Sequence, residues 1–271
     1  MKCTLLTTAL FLFFVFSSFG QFSSNLSLYN PAMTGLVDKG FAQLNYGFDT
    51  YKNQFRNPHL YGLYNQALDQ INSGVGINFR QQRFSFSDYT NVGGSYQYSL
   101  NLSESFKWAI GTSLNYTVQN PRGYYEEVFG FDNRDYLRLT FGTAIRWKGL
   151  NAGLSVGSFD LINYDDLDSG QNSNPNTRSL FNFHAWYDFN IGDNFILSPS
   201  IASFDLYTFG LRGEHSNKIW WNVRYGLEHY FLFGGGVRVI DNLYAGYNIG
   251  LNFKFGYTFD HNFSLTYRLG R

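Results

Sequence analysis

Histidine is the side chain that most often binds metals or moves protons near neutral pH, and the five histidines of this chain do not form a group. They are His59, His184, His215, His229 and His261. Their spacing fits no metal site, and the only cysteine, Cys3, precedes the N-terminal apolar run. A lipase-type site needs a serine, a histidine and an orienting group at one place, but serine and asparagine are too frequent here to single out candidates. We therefore predict no catalytic residue, no cofactor and no metal, and a protein that is not an enzyme.

One acidic segment has carboxylates at a spacing similar to that of calcium loops. It reads Asp165-Asp166-Leu167-Asp168-Ser169-Gly170. A complete calcium loop would also carry a terminal glutamate, which this segment lacks. We interpret the segment as a solvated acidic surface loop, and calcium binding by Asp165 to Asp168 stays open.

A second segment combines aromatic with acidic residues. Tyr124 and Tyr125 precede Glu126 and Glu127, and Phe129 and Phe131 follow them. Aromatic residues are enriched where proteins contact partners. Tyr124, Tyr125, Phe129 and Phe131 are therefore candidate partner-binding residues, with folding back into the protein's own interior as the alternative.

Most of the chain alternates apolar and polar residues, which indicates that these two segments connect β-strands. In Phe106 to Gln119, residues such as Trp108, Ile110 and Leu114 share one face, and Lys107, Ser113 and Asn115 share the other. A period of two is that of a β-strand with one apolar and one polar face. Similar patterns occur at 135–148, 179–190, 219–229 and 243–260, and no charge falls on their apolar faces.

The composition favours lipid as the environment of the apolar faces. Aromatic residues make up 20% of the chain and charged residues only 15%, and a charge on a barrel's lipid face at the bilayer midplane costs about 2–4 kcal/mol. A secreted β-sandwich also alternates, but it would not call for so many exposed aromatics. Fourteen alternating segments can be counted, the last two at 243–258 and 261–269. We predict an all-β protein, a transmembrane antiparallel β-barrel of about 14 strands.

The N-terminus indicates export. Lys2 is followed by an apolar run from Leu5 to Phe16 and by the small residues Ser18 and Gly20, the pattern of a cleaved secretory signal. We assign 1–20 to a signal peptide, 21–40 to an N-terminal Asn-Pro-Ala segment that acts as a plug or a periplasmic arm, and 41–271 to the barrel. The predicted location is the outer membrane of a Gram-negative cell, after Sec-dependent export and signal cleavage.

Loop lengths and charge bear on what the barrel does. The long connections, Asn120 to Arg134 and Asp160 to Arg178, both follow odd-numbered segments, an asymmetry typical of outer-membrane barrels. The polar faces carry more basic than acidic residues, which would suit a diffusion porin or small-solute transporter if the lumen were open. At about fourteen strands wall side chains alone do not fill the interior, so the Asn-Pro segment, folded loops or a partner's polypeptide must plug it.

The whole chain has 20 basic and 20 acidic residues, which argues against nucleic-acid binding.

Several motifs resemble those of the PorP/SprF family. The first, Leu28-Tyr29-Asn30-Pro31-Ala32-Met33-Thr34-Gly35, is similar to the family's Tyr-Asn-Pro-Ala-x-x-Gly motif. The others are Leu197-Ser198-Pro199-Ser200, Asn217-Lys218-Ile219-Trp220-Trp221 followed by Val223-Arg224-Tyr225, and Gly256-Tyr257-Thr258-Phe259-Asp260 with His261-Asn262-Phe263. Met33-Thr34 and Asn262 differ from the family's usual Tyr-Ala and Glu.

The resemblance implies an outer-membrane protein of Bacteroidota that works with the type IX secretion system and often with gliding motility. Such a barrel would dock or help export a secreted cell-surface protein of the adhesin type through that protein's C-terminal domain. Its other partners would be further type IX secretion components and outer-membrane lipid. Tyr29, Asn30 and Pro31 of the first motif join the candidate partner-binding residues.

Overall fold

A computed structural model describes residues 26–37, 39–51, 54–83, 87–121, 134–163, 180–203, 207–227, 230–253 and 258–269. Almost all of them are β-strand. The strands are β1 (Gly40–Tyr51), β2 (Gln54–Leu68), β3 (Ser73–Arg83), β4 (Ser87–Ser103), β5 (Phe106–Pro121), β6 (Arg134–Trp147), β7 (Leu150–Asn163), β8 (Leu180–Tyr187), β9 (Phe189–Ile191), β10 (Phe195–Ser203), β11 (Tyr207–His215), β12 (Ile219–Gly226), β13 (Tyr230–Ile240), β14 (Leu243–Asn252) and β15 (Thr258–Arg268). Short 3-10 helices cover Pro31–Met33 and Asp69–Ile71.

The strands close into a barrel, which confirms the predicted fold class. Consecutive strands pair antiparallel around the sheet, and β1 pairs with β15 from Phe41↔Arg268 to Thr50↔Phe259. β8 and the short β9 pair with successive parts of β10: β8 with residues 200–203 and β9 with residues 195–197. They therefore count as one barrel strand, and the closed barrel has 14 strands.

The break between β8 and β9 has a local cause. The pairs Trp186↔Ser200 and Phe189↔Leu197 leave Tyr187 and Asp188 opposite Pro199 and Ser198. Proline has no N–H to give to a ladder hydrogen bond, so the regular pairing stops there. Asp188 turns to other partners: its amide N–H donates to the Gly149 carbonyl (2.9 Å), and its carboxylate accepts a hydrogen bond from Ser198 Oγ (2.5 Å).

The two faces of the strands are those that the alternation predicts. On β5, Trp108, Ile110 and Leu114 are exposed on the outer face, whereas Ser113 and Thr117 are buried on the inner face. The outer faces of other strands likewise carry Leu44, Tyr46, Ile77, Phe141, Phe181, Phe209, Phe263 and Leu265. The inner faces carry buried polar residues, among them Gln43, Asn45, Asn65, Asn78, Gln97, Ser198 and Asn222.

One predicted strand was too long. The alternation from Leu243 to Asp260 suggests a single segment ending near 258, but β14 ends at Asn252 and Thr258 already begins β15. The pair Leu251↔Phe259 shows why. Paired residues of a hairpin share a face, and both of these have odd numbers, so the period-two pattern continues unchanged across the connection.

The barrel has two different ends. At one end the connections are tight turns at 104–105, 148–149, 216–218 and 241–242, with positive φ at Lys148, Ser216, Asn217 and Asn242; we call it the short-turn end. The strand ends at Pro121, Arg134, Asn163 and Leu180 lie at the opposite end, which we call the long-connection end. Among the described residues, no helix is long and apolar enough to cross a membrane.

Candidate functional site in the barrel lumen

Residues 26–37 lie against the inner face of the barrel. They form one helical turn at 26–29, followed by the 3-10 turn Pro31–Met33. Proline suits the first position of a helix because its missing N–H would have no partner there. The Asn30 side chain caps the turn, with Oδ1 accepting a hydrogen bond from the Ala32 N–H at 3.0 Å. Asn30, Ala32 and Thr34 have no solvent-exposed surface.

Hydrogen bonds join this segment to four strands of the wall. Five wall residues take part in these bonds. The Thr143 carbonyl accepts from Asn30 Nδ2 (3.0 Å), and Thr34 Oγ1 and Ser95 Oγ share a bond (2.9 Å). Ser155 Oγ donates to the Tyr29 carbonyl (2.6 Å), Asn65 Nδ2 donates to Ser27 Oγ (2.7 Å), and Arg146 donates to the Leu36 and Val37 carbonyls (3.3 Å each). These residues belong to β2, β4, β6 and β7. Main-chain and side-chain groups of the segment are thus both satisfied by the wall.

The wall is shaped for the segment by glycines, which we call the glycine seat: Gly74, Gly111, Gly142 and Gly153. A Cβ at Gly111 would lie 2.5 Å from the Ala32 nitrogen, and one at Gly153 would lie 2.5 Å from Asn30 Nδ2. A Cβ at Gly142 would meet Asn30 Oδ1, and one at Gly74 would meet the Thr34 carbonyl. No other residue leaves the backbone this accessible, so the segment and its seat are complementary in shape.

Apolar contacts complete the packing on this side. Leu26, Ala32, Met33 and Leu36 form one buried cluster with wall residues Ala109, Ala144 and Trp186. The three wall residues lie close to the short-turn end of β5, β6 and β8. The segment therefore fills this side of the lumen in its short-turn half.

The opposite wall fills the same half with its own side chains. Trp220 and Tyr244 are buried together, and a Cβ at Gly246 would lie 2.9 Å from the Trp220 ring. Beside them, Glu214 forms ion pairs with Arg212 and Arg268, and the Arg268 guanidinium lies 4.5 Å from the centre of the Tyr244 ring. The short-turn half of the lumen is thus occupied from both sides.

Space remains in the half nearer the long-connection end. Two cavities of about 420 and 230 Å³ lie there and share Tyr29 and Arg80 in their linings; together we call them the chamber. The larger cavity is lined by residues that include Asp49, His59, Arg224, Tyr230 and Asp260, and the smaller by Tyr61, Asn78, Asn115 and Arg138. Leu26, Leu28 and Tyr29 of the N-terminal segment form its floor.

The two carboxylates of the chamber are already hydrogen bonded. Asp49 accepts from Asn57 Nδ2 at 2.9 Å, and Asp260 accepts from the Tyr230 hydroxyl at 3.3 Å. In the described part of the chain, no group of three or more His, Cys, Asp or Glu residues is arranged to hold a metal ion. The chemistry that the chamber offers is hydrogen bonding and charge recognition.

The structure separates the residues that the sequence singled out. Tyr29 faces the chamber, whereas Asn30 and Pro31 are buried in the glycine seat. Tyr124, Tyr125, Phe129 and Phe131 lie outside the described residues, as do Asp165 to Asp168.

The described histidines do not come together. His184 is buried on the inner face, with its ring 5.8 Å from the Trp186 ring. His261 shares a 2.6 Å hydrogen bond with the Tyr247 hydroxyl, and its ring stacks on Phe48 at 5.0 Å. Each therefore has partners of its own.

The glycine seat is the feature that sequence reasoning missed. Its signal was present, since glycines occupy inner-face positions of β3, β5, β6 and β7 where other strands carry polar side chains. Their alignment, such as Gly111 opposite Gly142, becomes visible only in the register of the barrel.

The first motif of the sequence, Leu28 to Gly35, lies in the segment held by the glycine seat. Comparison with known families confirms the family resemblance of this motif. The chain matches the family described as type IX secretion system membrane protein PorP/SprF over residues 16–268. It belongs to the PorP/SprF family. The family and the fold are those of an outer-membrane barrel associated with secretion rather than of a known enzyme class.

Solved structures similar to this PorP/SprF protein are outer-membrane barrels. The Acinetobacter baumannii outer-membrane protein Omp33 has a TM-score of 0.54 at 10% identity, with 87% of this chain and 100% of that chain covered. The Pseudomonas putida toluene transporter TodX has a TM-score of 0.57 at 9% identity, with 91% and 94% covered. The monoaromatic hydrocarbon channel CymD has a TM-score of 0.55 at 8% identity, with 94% and 95% covered. At these identities the likeness concerns the fold alone, and no curated protein sequence matches the chain.

Proposed function

We propose that this PorP/SprF protein is a non-enzymatic barrel that docks, or helps to export, a secreted cell-surface protein of the adhesin or gliding type. The partner is bound through its C-terminal domain, and other type IX secretion components assemble with the barrel. The protein reaches the outer membrane by Sec-dependent export and cleavage of residues 1–20, and residues 21–40 then act as its plug.

The observation that carries the proposal is the glycine seat with its N-terminal segment. Gly111 and Gly153 leave room for Ala32 and Asn30 at distances that no side chain would allow. A wall built to hold a segment of the same chain supports a plugged lumen, which a diffusion channel does not need. The chamber at the long-connection end is then a surface for a partner rather than part of a conduit.

The alternative function is a diffusion porin or a small-solute transporter. The observation in its favour is the set of cationic side chains in the lumen, including Arg80, Arg138 and Arg224. A stable, anion-selective current from the purified wild-type barrel in planar bilayers would support this alternative over docking.

Docking is tested by co-purification from the native cell. The tagged barrel is extracted in mild detergent, and mass spectrometry identifies secreted proteins that remain bound after washing. We expect one surface protein to be recovered with wild type in near-stoichiometric amount. If no secreted protein is ever retained, docking is wrong.

The loop residues Tyr124 and Tyr125 provide a second test of where the partner binds. Losing an aromatic anchor in a binding hot spot costs about 2 kcal/mol or more, so Tyr124→Ala combined with Tyr125→Ala should release the partner. Heat-modifiable gel mobility serves as the control for barrel assembly. Retention of the partner by the folded double variant would move the binding site to the lumen.

A further inference from the structure

The chamber contains polar groups that the protein itself does not satisfy. Oδ1 of Asn222 and Oδ1 of Asn262, in the larger cavity, are buried without a hydrogen-bond partner among the described residues. The hydroxyl of Tyr61, in the smaller cavity, is in the same situation. Buried polar groups nearly always have partners in folded proteins. Polar groups without a partner in the protein thus lie beside both cavities, and the lining as a whole suits a polar ligand.

The charges of the lining specify the ligand further. The two cavities together present Arg80, Arg138 and Arg224 against the carboxylates of Asp49 and Asp260. The carboxylates already accept hydrogen bonds from Asn57 and Tyr230. Arg80 is exposed within the chamber and touches both cavities, and its Nη2 donates to Gln82 Oε1 at 2.6 Å. Because guanidinium groups bind carboxylates with paired, charge-assisted hydrogen bonds, the chamber favours an acidic ligand.

The remaining lining suits a peptide backbone. Eight residues with side-chain amides line the two cavities, among them Asn248 in the larger and Asn78, Asn115 and Asn182 in the smaller. Some of these groups are engaged within the protein, since Asn78 Nδ2 donates to Asn115 Oδ1 at 3.2 Å. A side-chain amide has two donor hydrogens and an acceptor oxygen with two lone pairs, so the set retains hydrogen-bonding capacity for successive peptide N–H and C=O groups. The two cavities also adjoin through Tyr29 and Arg80, so one extended ligand can run across both.

We propose that the chamber binds an extended acidic peptide segment of the secreted partner, with Arg80 and Arg224 engaging its carboxylates. This inference rests on the proposed docking function and adds a contact in the lumen to the one expected at Tyr124 and Tyr125. Arg80 would lie at the junction of the two cavities and Arg224 in the larger one.

The test uses the purified full-length barrel in detergent and a fluorescein-labelled peptide of alternating glycine and aspartate, with fluorescence anisotropy as the readout. The matched probe replaces aspartate by asparagine, and an oligosaccharide of glucuronic acid serves as competitor. We expect the acidic peptide to bind, the asparagine peptide to bind at least tenfold more weakly, and the glucuronic acid oligosaccharide to compete poorly. Equal binding of the two peptides, or tighter binding of the oligosaccharide, would overturn the proposal.

Variants localise the binding. Arg80→Gln and Arg224→Gln, made separately, should each weaken binding of the acidic peptide about tenfold or more, the effect of losing a charge-assisted hydrogen bond, and Arg80→Lys should retain part of it. The control is Arg83→Gln, on the same strand as Arg80 but outside the chamber lining, where Arg83 pairs with Asp88 at 3.2 Å. Unchanged binding in both glutamine variants, with heat-modifiable mobility like wild type, would overturn the assignment.

The failure of this proposal can be told apart from the failure of docking. If the wild-type barrel captures a secreted partner and the folded Arg80→Gln and Arg224→Gln variants capture it equally well, docking stands and the chamber is not its site. If wild type captures no secreted protein, docking itself fails, whatever the peptide assay shows.

Discussion

Asn30 makes the two contacts that most directly fix the N-terminal segment, and replacing it by alanine should loosen the segment without disturbing the barrel. Its Nδ2 donates to the Thr143 carbonyl and its Oδ1 accepts from the Ala32 N–H, both at 3.0 Å, and the side chain is fully buried. A typical hydrogen bond contributes about 0.5–1.5 kcal/mol net, and a buried group left without a partner costs about 1–3 kcal/mol. Two groups, the Thr143 carbonyl and the Ala32 N–H, lose this partner, so we expect a loss of about 2–4 kcal/mol in the seating free energy, the lower part of the range for two such groups.

Hydrogen exchange measures that free energy locally. The amides of Met33, Thr34 and Leu36 donate within the segment to Asn30, Pro31 and Met33 carbonyls, and they exchange when the segment opens. Since about 1.4 kcal/mol is a factor of ten, Asn30→Ala should accelerate their exchange roughly 30-fold to several-hundred-fold. The control is Asn190→Ala, at an exposed position on β9. Unchanged exchange at the three amides in a folded Asn30→Ala barrel would refute the seating argument.

Three further predictions follow from the packing. Gly111→Val should unseat the segment, because the Cβ of the new side chain would lie 2.5 Å from the Ala32 nitrogen. Gly62→Val is the control, since a Cβ at Gly62 would have no atom within 4 Å. Limited proteolysis within residues 26–37 compares the two variants, and equal resistance to cleavage would count against the glycine seat. Leu114→Arg, at the middle of the outer face of β5, should lower the free energy of unfolding in lipid vesicles by about 2–4 kcal/mol. Trp147→Arg, beside a turn at the end of β6, should lower it by only about 0–1 kcal/mol. Similar urea midpoints for the two variants would contradict this orientation of the barrel in the membrane. Trp220→Ala should cost about 3–5 kcal/mol in the same assay, because its ring fills the space over Gly236 and Gly246; a loss below about 1 kcal/mol would show that the lumen there is loosely packed.

The fold was predictable because lipid on one side and polar groups on the other fix the face of every strand. Trp108 and Leu114 could not lie inward without moving Ser113 and Thr117 into lipid, so the period-two pattern determined their direction. The ends of the strands were less predictable. Between β14, which ends at Asn252, and β15, odd-numbered residues face outward on both strands, so the alternation does not show where one strand ends and the next begins.

The candidate site was predictable only in part. The motif from Leu28 to Gly35 stood out in sequence because its turn-forming residues are not needed by a barrel wall. Its seat did not stand out, since it depends on the register between neighbouring strands. Gly111 lies beside Gly142, although the two are 31 positions apart in the chain. The chamber likewise arises from side chains of many strands, such as Arg80 on β3 and Arg224 on β12, that no local pattern connects.

Ion conductance tests the central claim, that the N-terminal segment closes the lumen, most directly. The purified wild-type barrel in planar bilayers should show no stable current. A variant lacking residues 26–37, with the heat-modifiable mobility of a folded barrel, should conduct, with a preference for anions set by the arginines of the lumen. A stable, open current through the wild-type protein, unchanged when 26–37 are removed, would contradict the account.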